Sequence, residues 1–366
     1  MIAFGQPKTE ARVKFGLGPF PVVSARSEPD GYRTLLDQAA LAEEEGFDSV
    51  WVDAGDQFGG GAPFTLAAAI AMRTRAARIA VRPLVGLTHP IYCAEDAAAL
   101  DNISNGRLIF APPELAGPDP LRAYGITPAD ARERFWEALE VIARSWAPDA
   151  FAHAGRHWTI PAGLPEHTHA VEFTKVSVTP KPAQPAVPLW VGAADDAGAV
   201  RAGQLGLTVL GEADVPLDAL ARRFSAHREA LGTTAPFGTL RPVIRDVVVG
   251  ETHEQAWATA TAALEASLPA GPGSLQERAA GVAVVGSVDE VIAELERYQA
   301  VGINYIVCSM ALPGIAAEAV RRSMLLLGRG VAPHFRMFNL APAVRAHTLE
   351  EVGNPMIGYL STQDPS

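Results

Sequence analysis

Cysteine is almost missing from this chain: Cys93 and Cys308 are the only two, far apart and without the paired spacing of a zinc site or a disulfide framework. Both read as small buried hydrophobes in a reducing compartment. Basic residues are also scarce, with 30 Lys and Arg against 41 Asp and Glu and a formal net charge of -11. A phosphate-rich partner needs a basic surface, so this balance argues against general nucleic-acid binding and attachment to an anionic membrane, while a local basic pocket is still allowed. No stretch of about 18 uninterrupted apolar residues occurs, and Met1 to Val13 hold no apolar core of signal-peptide length. The expectation is a cytoplasmic protein. A Gly-x-Gly-x-x-Gly turn is missing after every strand-like run, which removes the usual phosphate cradle of an open dinucleotide-binding sheet. Gly59-Gly60-Gly61 lacks that spacing and reads as a loop.

What the chain does have is a regular alternation of short apolar runs with amphipathic stretches, in a composition of 48% hydrophobic and 19% charged residues that suits an ordinary globular protein. Strands are expected at Val13 to Leu17, Ser49 to Val52, Arg78 to Arg82, Arg107 to Phe110, Pro188 to Gly192, Leu207 to Leu210, Val243 to Val249 and Ile303 to Cys308. Helical patterns lie between them. Tyr32 to Glu45 sets Leu35, Leu36, Ala39 and Ala42 on one side and ends at Gly46 as a left-handed cap, and further helices fall around Thr65 to Ala77 and Ala94 to Ile103. Thr127, Pro128 and Asp130 start another that stops near Trp146 ahead of Pro148, while Ser287 with Glu290 caps the helix before the last strand. Eight strand-helix units suit a closed barrel better than an open sheet.

The expected fold class is therefore α/β, a (β/α)₈ TIM barrel over residues 1–335 with insertions after strands 4 and 7 and a C-terminal tail at 336–366. The first insertion, 147–187, is rich in proline and reads as a hairpin with an extended Pro-Lys-Pro segment. The second, 269–286, is rich in Gly, Pro and Ala and reads as a candidate lid or a plain linker.

Four segments carry a likeness to a known family: Gly46-Phe47-Asp48-Ser49-Val50-Trp51-Val52; Thr88-His89-Pro90 with Ala94-Glu95-Asp96 and Leu100-Asp101-Asn102-Ile103-Ser104-Asn105-Gly106-Arg107; Pro180-Lys181-Pro182-Ala183-Gln184-Pro185 leading into Pro188-Leu189-Trp190-Val191-Gly192; and Arg245 to Ala256. In order and spacing they resemble the bacterial luciferase-like flavin monooxygenases. The resemblance implies a reduced flavin or deazaflavin at the C-terminal ends of the barrel strands, usually reduced FMN from a separate reductase, and a small aldehyde, ketone, amine or sulfur substrate. It also implies pairing of subunits, as a homodimer or with a paralogue. Residue by residue, Asp101 and Arg107 fit a helix-to-strand turn, Trp190 fits space-filling beside the barrel, and His89 fits a capped turn or a ligand contact.

The chain departs from the family pattern at the cofactor. Where the resemblance implies histidine after strand 2, it has Asp53-Ala54-Gly55-Asp56; where it implies an arginine on the flavin phosphate after strand 4, it has Glu114. Hydroxyl side chains implied after strand 5 are replaced by Ala193, Ala194 and Ala197, beyond Gly192 and around the acidic helix start Asp195-Asp196. Asp53, Asp56 and Glu114 are thus the candidate catalytic residues at the barrel mouth, and Arg82, Gly192, Ala193, Ala194 and Ala197 the candidate cofactor positions. Arg82 is expected to pair with Glu114 or Asp53, or to bind a substrate anion. Carboxylates there repel a phosphate, so FMN is expected to bind weakly and Glu114→Arg to tighten it. His153, His157, His167 and His169 lie in the irregular segment without a cysteine pair, and no metal is assigned to them. Three functions compete: a flavin-dependent oxidoreductase, a non-catalytic partner subunit, and a flavin-independent enzyme using the acidic mouth.

Overall fold

The structure, a computed structural model, describes residues 13–20, 29–54, 62–162, 174–232 and 240–336. In chain order it begins with β1 (Lys14–Phe20), α1 (Pro29–Glu44), β2 (Ser49–Asp53), α2 (Pro63–Arg73), β3 (Arg78–Arg82), α3 (Pro90–Ile103) and β4 (Leu108–Phe110). Then come α4 (Pro118–Tyr124), α5 (Pro128–Trp146), the short strands β5 (His153–Ala154) and β6 (Thr159–Ile160), β7 (Trp190–Gly192), α6 (Asp196–Gln204), β8 (Thr208–Leu210) and α7 (Leu217–Leu231). The last part holds β9 (Pro242–Gly250), α8 (His253–Ser267), α9 (Leu275–Ala279), β10 (Ala283–Ser287), α10 (Val288–Ala300), β11 (Tyr305–Ser309), α11 (Ala317–Leu326) and α12 (Ala332–Arg336), the last two joined by a π-helical turn.

Parallel pairing runs β9-β11-β1-β2-β3-β4, and β7 pairs with β8. Parallel bridges from Phe110 to Leu189 and from Gly211 to Val243 join these two groups on both sides. The ring closes. Its eight strands fall where the apolar runs predicted them, and the result is a (β/α)₈ barrel. The caps hold as well: Thr127 accepts from the Asp130 amide, and Ser287 and Glu290 form a reciprocal capping box.

Period-two alternation divides each strand between two cores. Val50, Val52, Ile79, Val81, Leu108 and Phe110 face the helices, whereas Trp51, Ala80, Ile109, Trp190, Leu210, Ile244, Tyr305 and Val307 fill the barrel's interior. Trp190 is thus inside the barrel and not beside it, with its ring 5.4 Å from Trp51 and 5.2 Å from Tyr305. Ser49 accepts from both Trp51 Nε1 and the Tyr305 hydroxyl at 2.6 Å, which fixes two of these large rings at the floor. Truncating either ring to alanine costs about 3–5 kcal/mol.

The helix-to-strand turn before β4 is organised as its residues suggested. Asp101 accepts from the Leu108 amide and from the Gln184 amide and side chain, and Arg107 donates to the carbonyls of Ala71, Thr74, Ala77 and Ser104. His89 caps α3 by accepting from the Ile91 amide. The first insertion contains the β5–β6 hairpin. In the second, the segment 269–286 carries α9 and most of β10, which pairs with β9 over five positions from Asp246 to Gly250. β9 is long enough to serve two partners: its first half closes the barrel against β11 and its second half carries β10.

Candidate active site

The inward phase of the strands delivers polar side chains to the C-terminal end of the barrel, the end where barrel enzymes work. Asp53 ends β2, Arg82 ends β3, Glu212 lies two residues past the inward Leu210, and Asp246 lies two past Ile244 in register with Ser309. Arg82 is 4% exposed and lies at the centre of this group. Its Nε donates to Asp53 Oδ2 at 2.9 Å, and its Nη2 donates to both Glu212 oxygens at 3.0 and 2.9 Å. Its Nη1 is buried and has no hydrogen-bond partner among the described residues. The pairing expected with Asp53 is present. The alternative partner is Glu212 and not Glu114, because the chain after β4 turns Glu114 elsewhere.

Burial opposes the Arg82 charge, but Glu212 and then Asp53 outweigh it and raise the guanidinium's pKa above its ordinary value. Glu212 responds in the other sense: burial, reinforced by Asp53 and Asp214, raises its carboxyl pKa, and Arg82 offsets only part of that. Burial also raises Asp246, against a hydrogen bond from Ser309 and the charge of Arg245. The permanent cation of Arg82 therefore sits beside Glu212, a carboxyl group that holds its proton more tightly than usual. Close approach is built in, since a Cβ at Gly192 would collide with Glu212 Oε1.

The loop bearing Glu212 is tied down from outside the barrel. Arg245, fully buried on the outward phase of β9, donates to the carbonyls of Glu212, Ala213 and Val215, while its Nε donates to the Tyr298 hydroxyl at 2.8 Å.

Glu114 does not reach the Arg82 group. It is 2% exposed, and its carboxylate lies between α5 and the start of α6. It accepts from the Ala194 amide at 2.9 Å and from Trp136 Nε1 at 3.0 Å, with Arg132 Nε 3.4 Å away. Asp195 caps the same helix by accepting from Gly198 at 2.9 Å, and the Gly198 amide and Arg132 hold its carboxyl below the usual range against burial. Ala193 is buried with its carbonyl on Arg223, and Ala197 is exposed in the first turn of α6. Asp56 lies outside the described residues, as do His167, His169 and the Gly59-Gly60-Gly61 loop. His153 and His157 are tied to Glu137 and Glu133 of α5.

Sequence reading thus placed Asp53 and Arg82 correctly at the mouth and missed Glu212, Asp246 and Ser309. The signal was available in the same alternation, because each stands two residues beyond an inward apolar side chain. The expectation that Glu114→Arg would tighten FMN rested on a carboxylate at the barrel mouth, and Glu114 instead faces α5 and the start of α6. An arginine there would meet Arg132 and Arg201 and leave the Ala194 amide without its acceptor.

The flavin or deazaflavin implied by the family likeness is only partly served by these residues. Its phosphate end does not fit the start of α6, where two carboxylates already accept from the Ala194 and Gly198 amides. Comparisons with known proteins point to the same family. The chain is 26% identical over 317 residues to the F420-dependent glucose-6-phosphate dehydrogenase of Amycolatopsis mediterranei, covering 77% of this chain and 90% of that one. Its structure is similar to that of the monooxygenase RslO1 from Streptomyces bottropensis, with a TM-score of 0.74, 26% identity, and 88% and 99% of the two chains covered. In fold it is also similar to the oxygenating constituent of 3,6-diketocamphane monooxygenase of Pseudomonas putida, solved with FMN, with a TM-score of 0.70, 21% identity, and 88% and 98% covered. The luciferase-like monooxygenase model matches residues 13–305, from the first barrel strand to the start of the last, and the chain belongs to that family.

Proposed function

We propose that the protein is a flavin-dependent monooxygenase or related oxidoreductase that acts on a small organic substrate at the C-terminal mouth of the barrel, with reduced flavin supplied by a separate reductase. A deazaflavin is the alternative cofactor. The observation that carries this reading is the Arg82 guanidinium, held by Asp53 and Glu212 with Nη1 left unmatched at the mouth. When bound, the reduced cofactor would supply the electrons. Arg82 Nη1 would donate to a carbonyl oxygen of the flavin ring or of the substrate. Its charge is already balanced by two carboxylates, so a neutral, polarised oxygen suits it better than an anion. Glu212 and Asp246, which retain protons above the ordinary carboxyl range, would give or take a proton there.

Those raised carboxyl groups also favour a second reading, flavin-independent acid-base chemistry in the same mouth. Turnover separates the two. Purified protein is mixed with reduced FMN or reduced deazaflavin and a panel of small aldehydes, ketones, amines and thioethers, and oxidation of cofactor and substrate is followed. Substrate-dependent acceleration by one cofactor is expected. Turnover of a panel member with no cofactor present would overturn the flavin reading in favour of the second.

A further inference from the structure

The start of α6 is the place near the mouth where an anionic ligand would gain from unpaired helix amides and the positive end of the helix dipole. In this chain that place is closed from within. The Glu114 carboxylate takes the Ala194 amide, and Asp195 takes that of Gly198. The helix is shaped around the guest, since a Cβ at Gly198 would collide with Glu114 Oε2. Donors from α5 complete the enclosure: Trp136 Nε1 reaches Glu114 Oε1, Arg132 lies beside the same oxygen, and Arg201 of α6 lies 4.6 Å over the Trp136 ring. A buried carboxylate held by an amide, an indole and nearby guanidinium charge meets the same demands as a bound phosphate.

We propose that Glu114 is a built-in anion that takes the place of a ligand phosphate at the start of α6, so that the mouth selects a flavin-type ring without its phosphate. The second half rests on the flavin reading above; the first does not. Riboflavin or another phosphate-free flavin should bind at least as well as FMN, because FMN's phosphate finds its cradle filled and faces Glu114 and Asp195 across it.

Two probes test this, inorganic phosphate and the pair FMN and riboflavin, on wild type and on Glu114→Ala. The variant empties the cradle while keeping Trp136, Arg132, Arg201 and the Ala194 amide, and a small cleft lined by Gly86, Pro113, Ala131 and Phe135 touches Glu114 itself. Wild-type melting should respond to inorganic phosphate no more than to chloride at equal ionic strength. Glu114→Ala should melt lower in chloride and recover specifically in phosphate. By fluorescence titration, FMN should bind wild type no tighter than riboflavin, and the FMN-to-riboflavin affinity ratio should rise at least about tenfold in Glu114→Ala. Should that variant fail to fold, Glu114→Gln removes the charge and keeps the shape, and the ratio should rise about threefold or more.

Wild type preferring FMN by about tenfold or more, with the ratio unchanged in either variant, overturns the proposal. Absence of flavin binding in every form, with the phosphate response of Glu114→Ala intact, upholds the built-in anion and overturns the flavin reading.

Discussion

A single guanidinium decides the electrostatics of the mouth. Because Arg82 neutralises Asp53 and Glu212 together, Arg82→Met leaves two partly buried carboxylates uncompensated and is expected to cost about 3–5 kcal/mol in urea denaturation at neutral pH. That loss should shrink on acidification as Glu212, whose pKa burial raises, takes up a proton; a loss independent of pH would point to packing instead. Asp246 carries a different sign. Its folded pKa is raised, so the fold favours the protonated form, and its stabilising contribution, present at low pH, is lost as pH rises through the folded value. Asp246→Asn should therefore raise the melting temperature at neutral pH, by on the order of 2 °C, and the gain should vanish in acid. A gain that persists unchanged at low pH would contradict the shift. Asp53 and Arg82 were legible in the sequence because they end strongly patterned strands, where direction follows from alternation. Glu114 was misplaced because the chain stays extended for three residues past β4, with Pro113 bridged to Gly192, and the alternation that turns Ile109 and Ala111 inward turns Glu114 outward to the helices.

At the scale of elements, the loop after β8 owes its place to Arg245 on the neighbouring strand, which donates to three of its carbonyls. Arg245→Leu leaves those groups and the Tyr298 hydroxyl unmatched in the interior, with an expected cost of about 3 kcal/mol or more. Chemical denaturation measures it, and a cost near zero would mean that the loop holds itself. On α7, His227 shares a 2.7 Å hydrogen bond with the Leu207 carbonyl that leads into β8, and burial lowers its pKa. The fold favours the neutral ring, so its contribution is whole above the unfolded value of about 6.5 and is lost as pH falls below it. The drop in stability between about pH 7.5 and 5.5 should be smaller in His227→Gln than in wild type. Caps were the most legible elements: Thr127, Ser287 with Glu290 and Gly46 act through local chemistry that needs no tertiary knowledge. β10 was illegible for the opposite reason, because Ala283–Ser287 is short and small-chained and becomes a strand only through the overhanging half of β9.

Across the whole molecule, barrel closure could be read from the eight apolar runs, while the joins from β4 to β7 and from β8 to β9 rest on isolated bridges that no sequence pattern marks. The pairing of subunits that the family likeness implies is a proposal for the exposed face of the early helices. Met72 of α2 and Tyr92 of α3 are 75% and 71% exposed on two helices that pack together, and a dimer is expected by light scattering at micromolar concentration, shifted to monomer by Met72→Lys with Tyr92→Glu. The central claim is that the protein works at the mouth around Arg82 with a flavin-type cofactor. Its most direct test is a fluorescence titration of riboflavin and FMN against wild type, Arg82→Lys, and Arg78→Lys at the opposite end of the same strand. The account predicts saturable binding of at least one flavin, weakened about tenfold or more by Arg82→Lys and unchanged by Arg78→Lys. Absence of saturable binding, or an equal loss from both substitutions, would contradict it.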